Sequence, residues 1–189
     1  MRTAVSSAQD YARPDFNPEP PVLSHHESLC GILTSFVPLA RTSRDDMVRT
    51  FEPQDMERVL DIWLRASIKA HDFIDASYWQ SNVVAMRELY IPASQTIVIE
   101  DQSAVQGFCS LLGNQLAALF VDPDQQGRGL GRQLLEHVKS LRTELSLAVY
   151  KENSRSIAFY QSQGFTVIKE QIDPQTGHAE YLMSYKSHL

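Results

Sequence analysis

The run Leu116–Arg132, LAALFVDPDQQGRGLGR, starts as an apolar strand, breaks at Asp122-Pro123, and delivers glycines at 127, 129 and 131 before helical spacing begins. That order makes an anion site. The first turn of a helix carries unpaired N–H groups and the positive end of the helix dipole, and glycine lets a ligand approach the backbone closely. The chemistry expected of these residues is therefore the holding of a phosphate. Two nucleotide loops are excluded. A P-loop needs a Lys-Ser or Lys-Thr pair after its glycines, and none follows here. A dinucleotide loop needs Gly-x-Gly-x-x-Gly early in a βαβ unit, with an acidic residue about 20 positions on. Here the spacing is Gly127-x-Gly129-x-Gly131, late in the chain.

The elements that must position this loop can be read on either side of it. Gln115–Val121 is a strand, and Gly129–Leu141 is a helix with Leu130, Leu134, Leu135 and Val138 facing inward. Upstream, Val48–Phe51 can be a first strand. Met56, Val59, Leu60, Trp63 and Leu64 then predict an amphipathic helix to about Ala70. A loop at His71-Asp72 leads to a second helix over Ala76–Tyr90, ended by Pro92. Thr96–Glu100 and Val105–Leu112 form a hairpin across Asp101-Gln102-Ser103. Downstream come a strand at Leu145–Tyr150, a short helix at Ser154–Ser162, and a hairpin of Phe165–Gln171 with Ala179–Lys186. The order β-α-α-β-β-β-α-β-α-β-β predicts an α/β (α+β) fold. Its sheet is mixed and largely antiparallel, with helices on both faces.

The pattern Gln126-Gly127-Arg128-Gly129-Leu130-Gly131 resembles the Gln/Arg-x-x-Gly-x-Gly/Ala loop of the GNAT acetyltransferase superfamily. A second motif agrees. Asn153, Ala158, Phe159-Tyr160 and Gly164-Phe165 resemble the Asn…Ala-x-x-Phe-Tyr…Gly-Phe segment of that family, with Ala158 one place nearer the Phe-Tyr pair than in many members. The element order agrees as well, so the resemblance covers about 140 residues. It implies that Gln115–Val121 and Leu145–Tyr150 splay apart to admit the pantetheine arm of acetyl-CoA. It further implies that backbone groups of Phe120 and Val121 face that arm. The N–H groups of Gln126, Gly127, Arg128, Gly129, Leu130, Gly131 and Arg132 are expected to cradle the pyrophosphate. Asn153 is expected near the reactive end of the cofactor, and Tyr160 beside the sulfur. A phenol of ordinary pKa about 10 stays protonated at neutral pH and can give its proton to a departing thiolate.

The glutamate that many members carry before the glycine loop is missing, since the strand reads Leu116-Ala117-Ala118-Leu119-Phe120. Candidates to accept the amine proton are Glu100, His71, Glu152 or an ordered water. The segment Ile62–Ser67, with His71-Asp72-Phe73-Ile74 and Tyr78-Trp79, resembles bacterial YiaC- and YjaB-like acetyltransferases. His71, Phe73, Tyr78 and Trp79 are on that ground the expected acceptor-side residues, with core packing the alternative for the aromatics.

Composition bounds the rest. The 189 residues, 43% hydrophobic, suffice for one packed domain. A net charge of −6 argues against a general nucleic-acid binder. No apolar run approaches the ~18 residues of a membrane span. Cys30 and Cys109 form neither a disulfide framework nor a metal spacing, and the His25-His26 pair lacks further ligands. Residues 1–46 hold five of the nine prolines and show no periodicity, so they read as a disordered extension, with Met47 opening the folded unit, residues 47–189. The expectation is a cytoplasmic, metal-free acetyl-CoA-dependent N-acetyltransferase, monomeric or homodimeric. Direct attack in a ternary complex is expected, because no placed nucleophile argues for an acyl-enzyme. The acceptor is expected to be a protein lysine or N-terminal amine, with a small-molecule amine as the alternative. A non-catalytic acyl-CoA sensor is the alternative of another class.

Overall fold

The apolar residues of 56–70 fall on one helical face, and Val59, Leu60, Ile62, Trp63 and Ala66 form the buried side of α1 (Met56–Ala70). This is a computed structural model, and it describes residues 47–101 and 104–187. The 1–46 extension and residues 102 and 103 of the first hairpin turn lie outside the described residues. Helix α1 closes at His71, whose N–H donates to Ser67 O at 3.0 Å. Helix α2 (Ala76–Ser81) opens at Asp75, whose carboxylate accepts from the Ser77 N–H at 2.8 Å.

The single helix expected over 76–90 is broken. Asn82 interrupts it, and its side-chain amide donates to Tyr78 O at 2.8 Å in competition with the backbone. Short turns follow at Val83–Ala85, a π-helical Met86–Tyr90 and Ile91–Ala93. Pro92 therefore sits inside the helical path and does not end it. Its ring would collide with the carbonyl four residues back, Glu88, in an α-helix, and the wider π turn relieves that collision.

The strands are β1 (Met47–Thr50), β2 (Gln95–Asp101), β3 (Ala104–Leu112), β4 (Gln115–Val121), β5 (Glu144–Tyr150), β6 (Thr166–Ile172) and β7 (Ala179–Lys186). They form one seven-stranded sheet in the order β1-β2-β3-β4-β5-β7-β6. All neighbours are antiparallel except β4 and β5. The helices α1 and α2 and the 83–93 turns cover one face, around Val98, Phe108 and Tyr150. Helices α3 (Leu130–Leu141) and α4 (Ser154–Ser162) lie on the other, around Ile99, Leu116, Leu147 and Met183. Cys109 is a free, fully buried thiol of this second core, and burial pushes its pKa up to about 12. It is no nucleophile there.

Strand β3 holds the strand that carries the glycine loop at close range. A Cβ added at Gly107 would stand 2.8 Å from the backbone oxygen of Phe120 on β4. Backbone cannot swing aside as a side-chain tip can. Gly107→Ala is therefore expected to destabilise the fold by about 1–3 kcal/mol and to lower the thermal midpoint by several degrees. An unchanged midpoint in a melting curve would show that the strands have room.

Candidate active site

Parallel neighbours β4 and β5 meet at one register position, Gln115 opposite Ser146, and part beyond it. The expected splay is present. In the antiparallel ladder, residues alternate in the side to which they direct N–H and C=O. The Asp122 N–H donates to Gln106 O at 2.8 Å, so Phe120 also turns its backbone groups toward β3. Leu119 and Val121 are left to face the gap. Of the expected pair, Val121 thus turns its backbone toward the gap, whereas Phe120 lines the gap with its backbone groups on β3. The sequence does not reveal this orientation of Leu119, because strand sidedness follows from pairing and not from composition.

The glycine loop leads into α3 as an open nest of donors. The Gln125 N–H donates to Asp122 O at 2.8 Å, and the Gln133 N–H to Gly129 O at 3.1 Å. Between them, no N–H from Gln126 to Arg132 makes an ordinary hydrogen bond to a described residue. Gly127 (φ +83°) and Gly129 (φ +87°, the N-cap of α3) take left-handed conformations. A Cβ on either would meet nothing within 4 Å, because both border an open cleft. The cleft measures about 540 Å³ and is lined by the loop, Val121, Lys69 of α1 and the start of α4. This fits an elongated anionic ligand.

Side chains in the loop have other duties. Arg128 pairs with Asp101 at 2.7 Å and with Gln125, and does not line the cleft. Leu130 is a core residue, and the Arg132 Nε donates to Glu136 at 2.8 Å. The Gln126 amide reaches Val121 O at 3.3 Å. The loop side chains are thus engaged elsewhere, while its backbone N–H groups from Gln126 to Arg132 make no ordinary hydrogen bond to a described residue.

A second, narrower cavity of about 80 Å³ continues into the wedge between β4 and β5. Leu119, Asn153, Ser156 and Tyr160 line both cavities, and so stand at the junction. Tyr160 packs edge-on against Phe159 and Phe165, with ring centres 5.3 and 5.6 Å away. Its hydroxyl makes no hydrogen bond to a described residue. Burial, with a smaller contribution from Cys109, raises its pKa further above the ordinary phenol value. Asn153 caps α4, its Oδ1 accepting from the Ser156 N–H at 3.1 Å.

On the far side of the wedge stands an aromatic wall. His71 is buried and stacks on Trp79 at 5.0 Å, with Tyr150 edge-on at 5.3 Å. Of the four expected acceptor-side residues, His71 alone lines the wedge. Trp79 is core, with its second face of contacts to Trp63 at 6.1 Å. Phe73 packs behind His71 against Tyr150 and His178. The Tyr78 hydroxyl donates to Gln175 Oε1 at 3.1 Å, tying α2 to the β6–β7 turn. Its pKa is pushed up to about 12 by burial.

The base candidates differ in circumstance. Glu100 accepts from Arg49 at 2.5 Å and lies away from both cavities. Glu152 borders the cleft and pairs with His178 Nδ1 at 3.1 Å. Burial pulls the His71 pKa down to about 4. No cluster of three or more metal-binding side chains occurs among the described residues. None of their helices is long and apolar enough to cross a membrane.

Known proteins resemble this chain in sequence and fold. Residues 92–167 match the family described as an acetyltransferase (GNAT) domain. The chain is 33% identical over 140 residues to peptidyl-lysine N-acetyltransferase YiaC of Escherichia coli K12, covering 74% of this chain and 96% of that one. It is 32% identical over 120 residues to peptidyl-lysine N-acetyltransferase YjaB of the same strain, covering 64% and 82%. The solution structure of apo YjaB from Escherichia coli superposes with a TM-score of 0.67 at 29% identity, over 75% of this chain and 97% of that one.

Proposed function

This chain belongs to the GNAT acetyltransferase family and takes its acetyl group from acetyl-CoA; from that premise we propose that it acetylates a protein amine, a lysine side chain or an N-terminus. The peptidyl-lysine activity in the names of its relatives supports this acceptor class. We take residues 47–189 as the acetyltransferase domain and the cytoplasm, where acetyl-CoA is available, as its compartment.

The observation that carries the mechanism is the free Tyr160 hydroxyl at the junction of cleft and wedge. In this reading the N–H groups of Gln126–Arg132 hold the pyrophosphate, and the backbone of Leu119 and Val121 pairs with the pantetheine amides as an added strand would. Asn153 meets the cofactor near its thioester. The neutral amine enters the wedge and attacks the thioester carbonyl, forming the C–N bond. As the C–S bond breaks, Tyr160 gives its proton to the sulfur. The proton released by the amine nitrogen passes to water, because Glu100 is held by Arg49 and Glu152 by His178. Transfer is direct, since the buried Cys109 thiol offers no acyl-enzyme route.

The test is an acceptor screen with acetyl-CoA, reading free thiol release and locating the acetyl group by mass spectrometry. Basic peptides and free N-termini should accept the group and polyamines should not. Turnover confined to small amines would transfer the reading to a metabolite enzyme, and tight acetyl-CoA binding without any acceptor would leave a sensor.

A further inference from the structure

One hydrogen bond joins the end of α1 to the start of α4, and a flanking bond on each side specifies its proton positions. His71 Nδ1 lies 3.1 Å from Ser67 O. A carbonyl can only accept, so Nδ1 carries the hydrogen and Nε2 is bare. At the other end, Ser156 N–H can only donate, so the Asn153 atom it meets at 3.1 Å is Oδ1. The Asn153 Nδ2 group must then face the other way, and it stands 3.4 Å from His71 Nε2. The chain of donors and acceptors closes without contradiction.

We propose that His71 is a positioning residue that sets Asn153 for acyl-CoA, by holding one Nδ2 hydrogen of its side-chain amide on the bare Nε2. The inference rests on the reading that Asn153 meets the cofactor. The amide is planar, so fixing Oδ1 on Ser156 and one hydrogen on His71 also fixes the second hydrogen. That second hydrogen bonds no described residue and belongs to a side chain lining both cavities. It is set to donate to a carbonyl oxygen of the bound thioester or pantetheine arm. His71 must stay neutral for this, because an Nε2 hydrogen would oppose the amide hydrogens. Its surroundings secure that: Trp79, Phe73 and Tyr150 shield the ring, and its burial disfavours the charged form. The same shielding makes His71 a poor base for an amine. A cationic imidazolium would have to form in an aromatic box.

His71→Phe keeps the ring and its packing but removes the acceptor. It is expected to weaken acetyl-CoA binding roughly three- to tenfold, the scale of one hydrogen bond. The dissociation constant is read by calorimetry, and kcat at saturating acetyl-CoA should change by less. Asn153→Ala should weaken binding at least as much, and the double variant no more than Asn153→Ala alone. His71→Gln, which can present an amide oxygen near the Nε2 position, should recover most of the loss. In the wild-type protein, ¹⁵N-histidine spectra at neutral pH should show the Nδ1–H tautomer, a measurement that does not depend on any variant folding. An Nε2–H tautomer overturns the proposal. So does a His71→Phe protein with unchanged acetyl-CoA affinity and reduced kcat, which is the mark of a base or acceptor role. Losses that multiply in the double variant overturn it too. If Asn153→Ala binds acetyl-CoA as the wild type does, the cofactor role of Asn153 fails first and this inference with it.

Discussion

Tyr160→Phe is expected to lower kcat by about 10²-fold or more, the ordinary contribution of a placed proton donor, and to leave the dissociation constant for acetyl-CoA within twofold. The substitution removes one oxygen. Ring contacts to Phe159 and Phe165 persist, and no hydrogen bond to a described residue is lost with the hydroxyl. Stability is therefore expected to change little. Without the phenol, the coenzyme A thiolate leaves unprotonated from a partly buried position, where a charge is costly. Steady-state rates with a good peptide acceptor and calorimetry with acetyl-CoA separate the two quantities. A kcat within threefold of the wild type would remove Tyr160 from the chemistry. The sign of its pKa shift adds a second check. A raised pKa keeps the phenol protonated, so loss of the acid should produce no alkaline fall in kcat below about pH 10. The rate should instead rise with pH until the amine acceptor is neutral, then level off. A fall in kcat already at pH 8–9 would mean that another group is the acid.

Gly129→Ala acts on the other half of the site. Gly129 caps α3 at φ +87°, and an L-residue in a left-handed conformation costs roughly 1–2 kcal/mol. The added methyl meets no neighbour, so the cost is conformational and not a clash within the protein. The backbone can relieve it by rotating toward negative φ, which turns the adjoining N–H groups away from a common point. Acetyl-CoA affinity should fall about five- to thirtyfold, the equivalent of that energy, with a parallel rise in KM. In contrast to Tyr160→Phe, kcat at saturating cofactor should survive. Gly131→Ala is the control. Its Cβ would sit 3.6 Å from Val121 and 3.8 Å from Phe159, ordinary contact distances, and no positive φ is involved. Equal losses in the two variants would show that added bulk matters and backbone conformation does not.

Much of this was legible in the chain. The strand, glycine turn and helix around 115–141 lie where the sequence puts them, because the period of the apolar residues and the positive-φ demand of the loop are local properties. Strands β4 and β7 and helices α1 and α4 lie where periodicity puts them. Other features were not legible. The Asn82 break rests on competition of its side chain with the helix backbone, and the π turn on accommodation of the Pro92 ring. The residues expected on the acceptor side divide into one that lines the wedge and three that pack away from it, a division set by neighbours 70 or more positions away such as Tyr150 and Gln175.

By itself the sequence determined a strand, a glycine-rich turn and a helix start with the makings of a phosphate cradle, and behind them an amide and a phenol at fixed spacing. Residue type and spacing suffice for that, since N–H donors, glycine conformations and helix caps are properties of short segments. Only the tertiary structure decided which groups meet. It directed the backbone of Leu119 and Val121 to the gap and that of Phe120 to β3, through the register of one antiparallel pair. It also brought His71 to Asn153 across 82 positions of chain. Hydrogen-bond direction and burial are set by partners, and partners come from the packing of distant elements on the two faces of the sheet.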